Sequence, residues 1–101
     1  GDKRIMIIEQ IKVNEELCDY IESLHFEVNS RKDLLAFAMG KGFADTDSFK
    51  QYHDEYQEFY VKYETAKDEL YNMYLKEKYE GKPIHWELKF NTRILNVMED
   101  K

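Results

Sequence analysis

Residues 3–13 alternate with a period of two. In KRIMIIEQIKV (Lys3 to Val13), Ile5, Ile7, Ile11 and Val13 fall on one face and Met6 and Ile8 on the other. β-branched residues in that pattern predict a strand over residues 3–13. Asn14 then stands at an N-cap position, with Glu15 and Glu16 in a first turn whose dipole favours acids. From there the period changes. Leu17, Ile21, Leu24, Val28, Arg31, Leu35 and Ala38 recur at alternating spacings of four and three, a heptad seam with one polar interruption at Arg31. A helix over residues 15–41 follows, ended by Gly40 and Gly42.

The connection FADTDS offers four N-caps, and Ser48 with Gln51 would form a capping box. A second helix, residues 47–80, carries the seam Phe49, Tyr52, Tyr56, Phe59, Tyr63, Ala66, Leu70, Met73 and Glu77, without a slip. Gly81 ends it and Pro83 prevents its resumption. At 1.5 Å per residue the helices would be roughly 40 and 50 Å long. In the tail, residues 85–98, Trp86, Leu88 and Phe90 alternate again. Asn91-Thr92 fits a hairpin turn, but one long strand is equally compatible, because the turn lacks Gly.

A short connection makes the helices antiparallel, so the strands at their outer ends meet and pair. The expected fold is α+β, predominantly α. It is a single domain with a coiled-coil-like two-helix hairpin and N- and C-terminal strands in a small antiparallel sheet.

The stretch YHDEYQEFYVKYE (Tyr52 to Glu64) separates into two groups of rings. Tyr52, Tyr56, Phe59 and Tyr63 belong to the seam. Tyr60, Tyr71 and Tyr74 flank it, as Tyr20, Leu34, Phe37 and Met39 flank the first seam. Val61 and Leu75 lie on the back of the second helix, and Phe26 near the back of the first. A lone hairpin cannot cover these residues, and contiguous apolar surface marks interfaces. Tyr60, Tyr71, Tyr74, Tyr20, Leu34 and Phe37 are therefore expected at an oligomer interface. The economical solution is a homodimer, or a higher homo-oligomer, in which hairpins form a four-helix bundle; another protein could cover the same face.

Charge narrows the partners. The 101 residues carry a net charge of −6, 36% of them are charged and 43% hydrophobic. Residues 14–41 hold six acids and three bases, and residues 43–80 ten acids and five bases. No basic stripe is present there to neutralise phosphates, so direct nucleic-acid binding is not expected. The run Ile5–Ile8 is too short for a signal-peptide core or a membrane span, and Gly1 without a preceding Met reads as a remnant of a cleaved tag. Cys18 is the one cysteine, set among acids that disfavour its thiolate, which fits a reducing cytoplasm.

Candidate chemistry is sparse. Glu22 and His25 form a Glu-x-x-His pair, half of a di-iron carboxylate set if a dimer supplied two, with Glu55 or Glu58 as partners. Ligands of such a site must project into the core, whereas Glu22 points away from the seam and His25 only flanks it. His53, Asp54, Glu55 and Glu58 follow one another on a helix that offers no cleft to shift their pKa values. His85 beside Trp86 fits packing, and the GKG at Gly40 to Gly42 ends a helix instead of opening a phosphate loop. No nucleophile with a nearby base emerges. No enzymatic activity, cofactor or metal is expected.

The stretches NSRKDLLAFAMGKG, SFKQYHDEYQEFYVKYETAKDEL and WELKFNTRILNV resemble small uncharacterised helical proteins of Firmicutes phages and prophages. The two-helix plan with a closing Trp-containing strand is also similar to small accessory proteins of peptide-modification gene clusters. The resemblance implies a role in virion assembly or an accessory interaction, and no catalytic residues. The leading expectation is a non-enzymatic oligomerisation or interaction module. The alternatives are an acidic inhibitor of a host nucleic-acid-binding protein and a di-metal carboxylate bundle.

Overall fold

The computed structural model describes residues 4–100. The element order is β1 (Ile5–Lys12), α1 (Glu15–Gly40), α2 (Asp47–Tyr74), α3 (Lys76–Tyr79), β2 (Ile84–Lys89) and β3 (Ile94–Asp100). The chain divides into two compact units, one made of Gly1–Asp19 with Asp68–Lys101, the other of Tyr20–Lys67.

The second unit is an antiparallel helical hairpin. Contacts run in opposite order along its two helices: His25 meets Tyr63, and Arg31 meets Phe59 and Glu55. The seam of α1 is buried as its spacing predicts, with Ile21, Leu24, Val28 and Ala38 all under 10% exposed. Gly42, at φ 79°, closes α1: its N–H donates to the Met39 carbonyl and the Phe43 N–H to that of Ala38. Such a turn needs the left-handed conformation that glycine adopts without strain. The cap of α2 differs from the expected box. Thr46 Oγ1 accepts the Phe49 N–H at 3.1 Å, and Gln51 reaches forward to Glu55 at 3.4 Å. A hydroxyl at Thr46 is one residue before the helix, where the orphan N–H groups converge, whereas Ser48 lies already inside it.

The first unit holds the sheet and its core. Strand order is β1-β3-β2, and both pairings are antiparallel. The tail is thus a hairpin with a four-residue connection, Phe90 to Arg93. Arg93 takes φ 57°, the left-handed conformation that a glycine would have advertised in sequence. On one face of the sheet Leu95 and Val97 are fully buried, with Trp86 and Leu88 of β2 and Ile11 of β1 opposite them in register. Leu70, Leu75, Cys18 and Tyr79 are buried in the same unit. Asn14 caps α1 as expected, its Oδ1 accepting the Leu17 N–H at 3.0 Å.

Two features depart from the simple pattern. The β1 register slips between Ile7 and Glu9: Ile7 pairs with Met98, but Ile11 pairs with Leu95. Met98 and Leu95 are three apart and so face opposite ways. Ile5 and Ile7 therefore lie on the opposite face from Ile11, not on its face as strict alternation predicts. The extra residue, Ile8, is a bulge. The second departure is in the second helix, which breaks at Leu75 (φ −119°, ψ −32°) instead of running on to residue 80. The heptad slips there. Leu75, expected on the back, is fully buried, while Met73, expected in the seam, is 57% exposed and Glu77 is exposed as well. The buried series becomes Ala66, Leu70, Leu75, Tyr79.

Candidate interaction surfaces

The hairpin unit leaves many of its rings only partly covered. Phe49, Tyr52, Tyr56, Phe59 and Tyr63 are half-buried, and cations lie over two of them. The Arg31 guanidinium lies 4.1 Å from the Phe59 ring centroid, Lys62 5.2 Å from the same ring, and Lys67 4.6 Å from Tyr63. This accounts for Arg31 in an apolar seam: a planar cation stacks on a ring where an ammonium or aliphatic chain would fit less well. Arg31 also pairs with Glu27 and stands 3.8 Å from Glu55 through a buried Nε that makes no hydrogen bond.

Beyond the seam, Tyr20, Leu34, Phe37 and Tyr60 are exposed, as are Phe26, Met39 and Val61. Phe26 and Phe37 are eleven residues apart, about three turns, so they share a stripe. A groove of about 490 Å³ lies beside Tyr60, bounded by Tyr56, Gln57 and Val61. A second hollow of about 300 Å³ sits at the turn, walled by Phe43, Phe49 and Tyr52 over the buried Ala38. The Thr46 hydroxyl at its rim is engaged by Phe43 O and Phe49 N.

In the first unit, Tyr71 is half-buried. Tyr74 is half-buried too, and its hydroxyl accepts the Asn14 N–H at 2.8 Å. The apolar residues left open here are Met73 and the start of β1: Ile5 60%, Met6 42%, Ile7 51% and Ile8 37% exposed.

The polar candidates do not converge. Glu22 and His25 are both exposed; His25 lies 5.8 Å from the Tyr63 ring and within 3.2 Å of Asn29. Glu55 turns to Arg31 and Glu58 to Lys62, while His53 and Asp54 are exposed. His85 pairs with Asp100 at 3.3 Å. Among the described residues no group of three or more His, Cys, Asp and Glu side chains could hold a metal ion, and no helix is long and apolar enough to cross a membrane.

Two polar clusters were not foreseen. In the first, Tyr79 and Lys78 both donate to Glu9 Oε1, at 2.5 and 3.1 Å. The Tyr79 bond, then the Lys78 bond, hold the Glu9 carboxyl below its ordinary pKa, and the same contacts raise those of Tyr79 and Lys78. The only hint in sequence is a lone acid behind the apolar run Ile5–Ile8. In the second, Arg93 meets Asp19 through Nε and Nη2 at 3.3 and 3.4 Å, and Glu15 at 3.3 Å. The bonds to Asp19 raise its pKa. The Val13 N–H and Lys12 Nζ bind the carbonyls of Arg93 and Thr92, so the β2–β3 turn is held to the start of α1.

Protein-family models, curated proteins and solved structures give no match to this chain.

Proposed function

We propose that this chain is a non-enzymatic interaction module that self-associates through the open rings of its helical hairpin, in the cytoplasm of a bacterial or phage-infected cell. The observation that carries the reading is the incomplete cover of that hairpin. Tyr20, Leu34, Phe37 and Tyr60 stay exposed, while a groove opens beside Tyr60. Burying apolar surface contributes about 25 cal/mol per Å², so rings of this size left in water are a reservoir for association. A dimer pairing two hairpins as a four-helix bundle uses that reservoir with a single self-complementary contact. An assembly or accessory part in a phage or prophage is the biological setting that the sequence resemblance suggests.

The test is the mass in solution together with ring substitutions. Light scattering after size exclusion is expected to give about twice the 12.3 kDa chain mass. Phe37→Glu and Tyr60→Glu should shift the chain toward monomer. A monomer at micromolar concentration overturns self-association.

A further inference from the structure

The sheet has two edges, and they are finished differently. β2 carries His85, Glu87 and Lys89 at alternate positions and is preceded by Pro83. Charges and proline are the usual means of keeping an edge from pairing with another chain. The later half of β1 is protected too, by the bulge at Ile8 and by Glu9 and Lys12. Ile5, Met6 and Ile7 have no such protection. They are consecutive, uncharged and each more than 40% exposed, and β3 is the one strand beside them in the sheet.

We propose that the outer edge of β1 pairs antiparallel with β1 of a second copy about a two-fold axis at Met6, joining two three-stranded sheets into one of six strands. The inference rests on the self-association proposed above and gives the same dimer a second contact about its two-fold axis.

Register follows from the faces. Antiparallel neighbours must share a face, and centring on Met6 sets Ile5 opposite Ile7 of the second copy, both on the face away from Leu95. Charge favours a second copy as the occupant. Arg4 lies two residues before Met6, on the same face, and comes level with the Ile8–Glu9 bulge of the other chain. Glu9 lies on that face as well, because the bulge moves it there opposite Val97. Two Arg4–Glu9 pairs thus form by symmetry. Tyr79 and Lys78 both bind Oε1 of Glu9, and a carboxylate accepts at two oxygens. The bulge that ends the unprotected run also places the complementary charge. Residues 4–13 carry a net +1 in a chain of −6, so two copies approach here without setting acid against acid.

Single cysteines at positions 4 to 8 test the geometry, since Cys18 is fully buried and gives little background. Under mild oxidation Met6→Cys is expected to give the strongest disulfide-linked dimer, because only a residue on the axis meets itself. At Ile5 or Ile7 the two copies of the same residue would lie roughly 8 Å apart, beyond disulfide reach. No cross-link at Met6, or equal cross-linking at all five positions, overturns the proposal. Ile7→Lys at this exposed site should weaken the dimer by about tenfold or more. If Ile7→Lys stays fully dimeric while Phe37→Glu dissociates, the ring reading stands and the β1 pairing falls. If the parent chain is monomeric, both fall.

Discussion

The two compact units solve the same problem to different degrees. The largest fully buried side chains, Leu70, Leu75, Leu95, Val97 and Cys18, all belong to the unit that holds the sheet. In the hairpin unit the buried positions are Ile21, Leu24, Val28, Ala38 and Ala66, and its rings are half-covered. Two helices have one contact line, whereas a sheet with helix segments beside it encloses a core on more sides. The first unit therefore encloses a core of its own and leaves open only Met73 and the start of β1 among its large apolar residues. The second is finished in part by cations laid over rings, and in part, on the reading above, by another molecule.

The largest test of this contrast lies at the helix break. Leu75→Ala and Leu70→Ala should each cost about 2–5 kcal/mol by denaturant unfolding, whereas Met73→Ala should stay within about 0.5 kcal/mol. An unbroken heptad predicts the reverse order for positions 73 and 75. Next comes the cap: Asn14→Ala should cost about 0.5–2 kcal/mol, read in the same unfolding curves.

Arg93 gives a smaller and more diagnostic effect. Arg93→Ala loses the contacts to Asp19 and Glu15 and keeps the strained backbone; Arg93→Gly loses the contacts but relieves the strain. The glycine variant should be the more stable of the two by about 1 kcal/mol. Equal stabilities would remove backbone strain from the account.

The Glu9 cluster predicts a pH dependence of definite sign. A lowered Glu9 pKa contributes stability that is present above the ordinary carboxylate range and is lost as pH falls through the lowered value. Raised Tyr79 and Lys78 pKa values contribute stability that is present below about pH 10, the ordinary range of both groups, and is lost as pH rises through the raised ones. Glu9→Gln should flatten both limbs in thermal unfolding followed against pH; an unchanged profile contradicts the cluster's role.

How far the sequence could be read depended on how local the cause was. The strand, the first long helix, the second as far as Tyr74, the Asn14 cap and the Gly42 closure rest on neighbours in sequence, and each lies within a few residues of where the spacing puts it. The bulge at Ile8 and the slip at Leu75 have no Gly or Pro to announce them. They are set by what lies opposite, Val97 and Leu95 for β1 and the buried face for Leu75 and Tyr79. The turn at Arg93 hid for the same reason: a non-glycine residue holds a positive φ, with ion pairs to Asp19 and Glu15 beside it. The exposed rings of α1 and α2 were legible from the helical wheel. The open edge of β1 was not, because it depends on strand order.

The most direct test of the central claim is the solution mass of the unmodified chain, measured by light scattering across the micromolar range. The account predicts about twice 12.3 kDa, falling toward one chain mass only on dilution. A mass of 12.3 kDa at every concentration would contradict it.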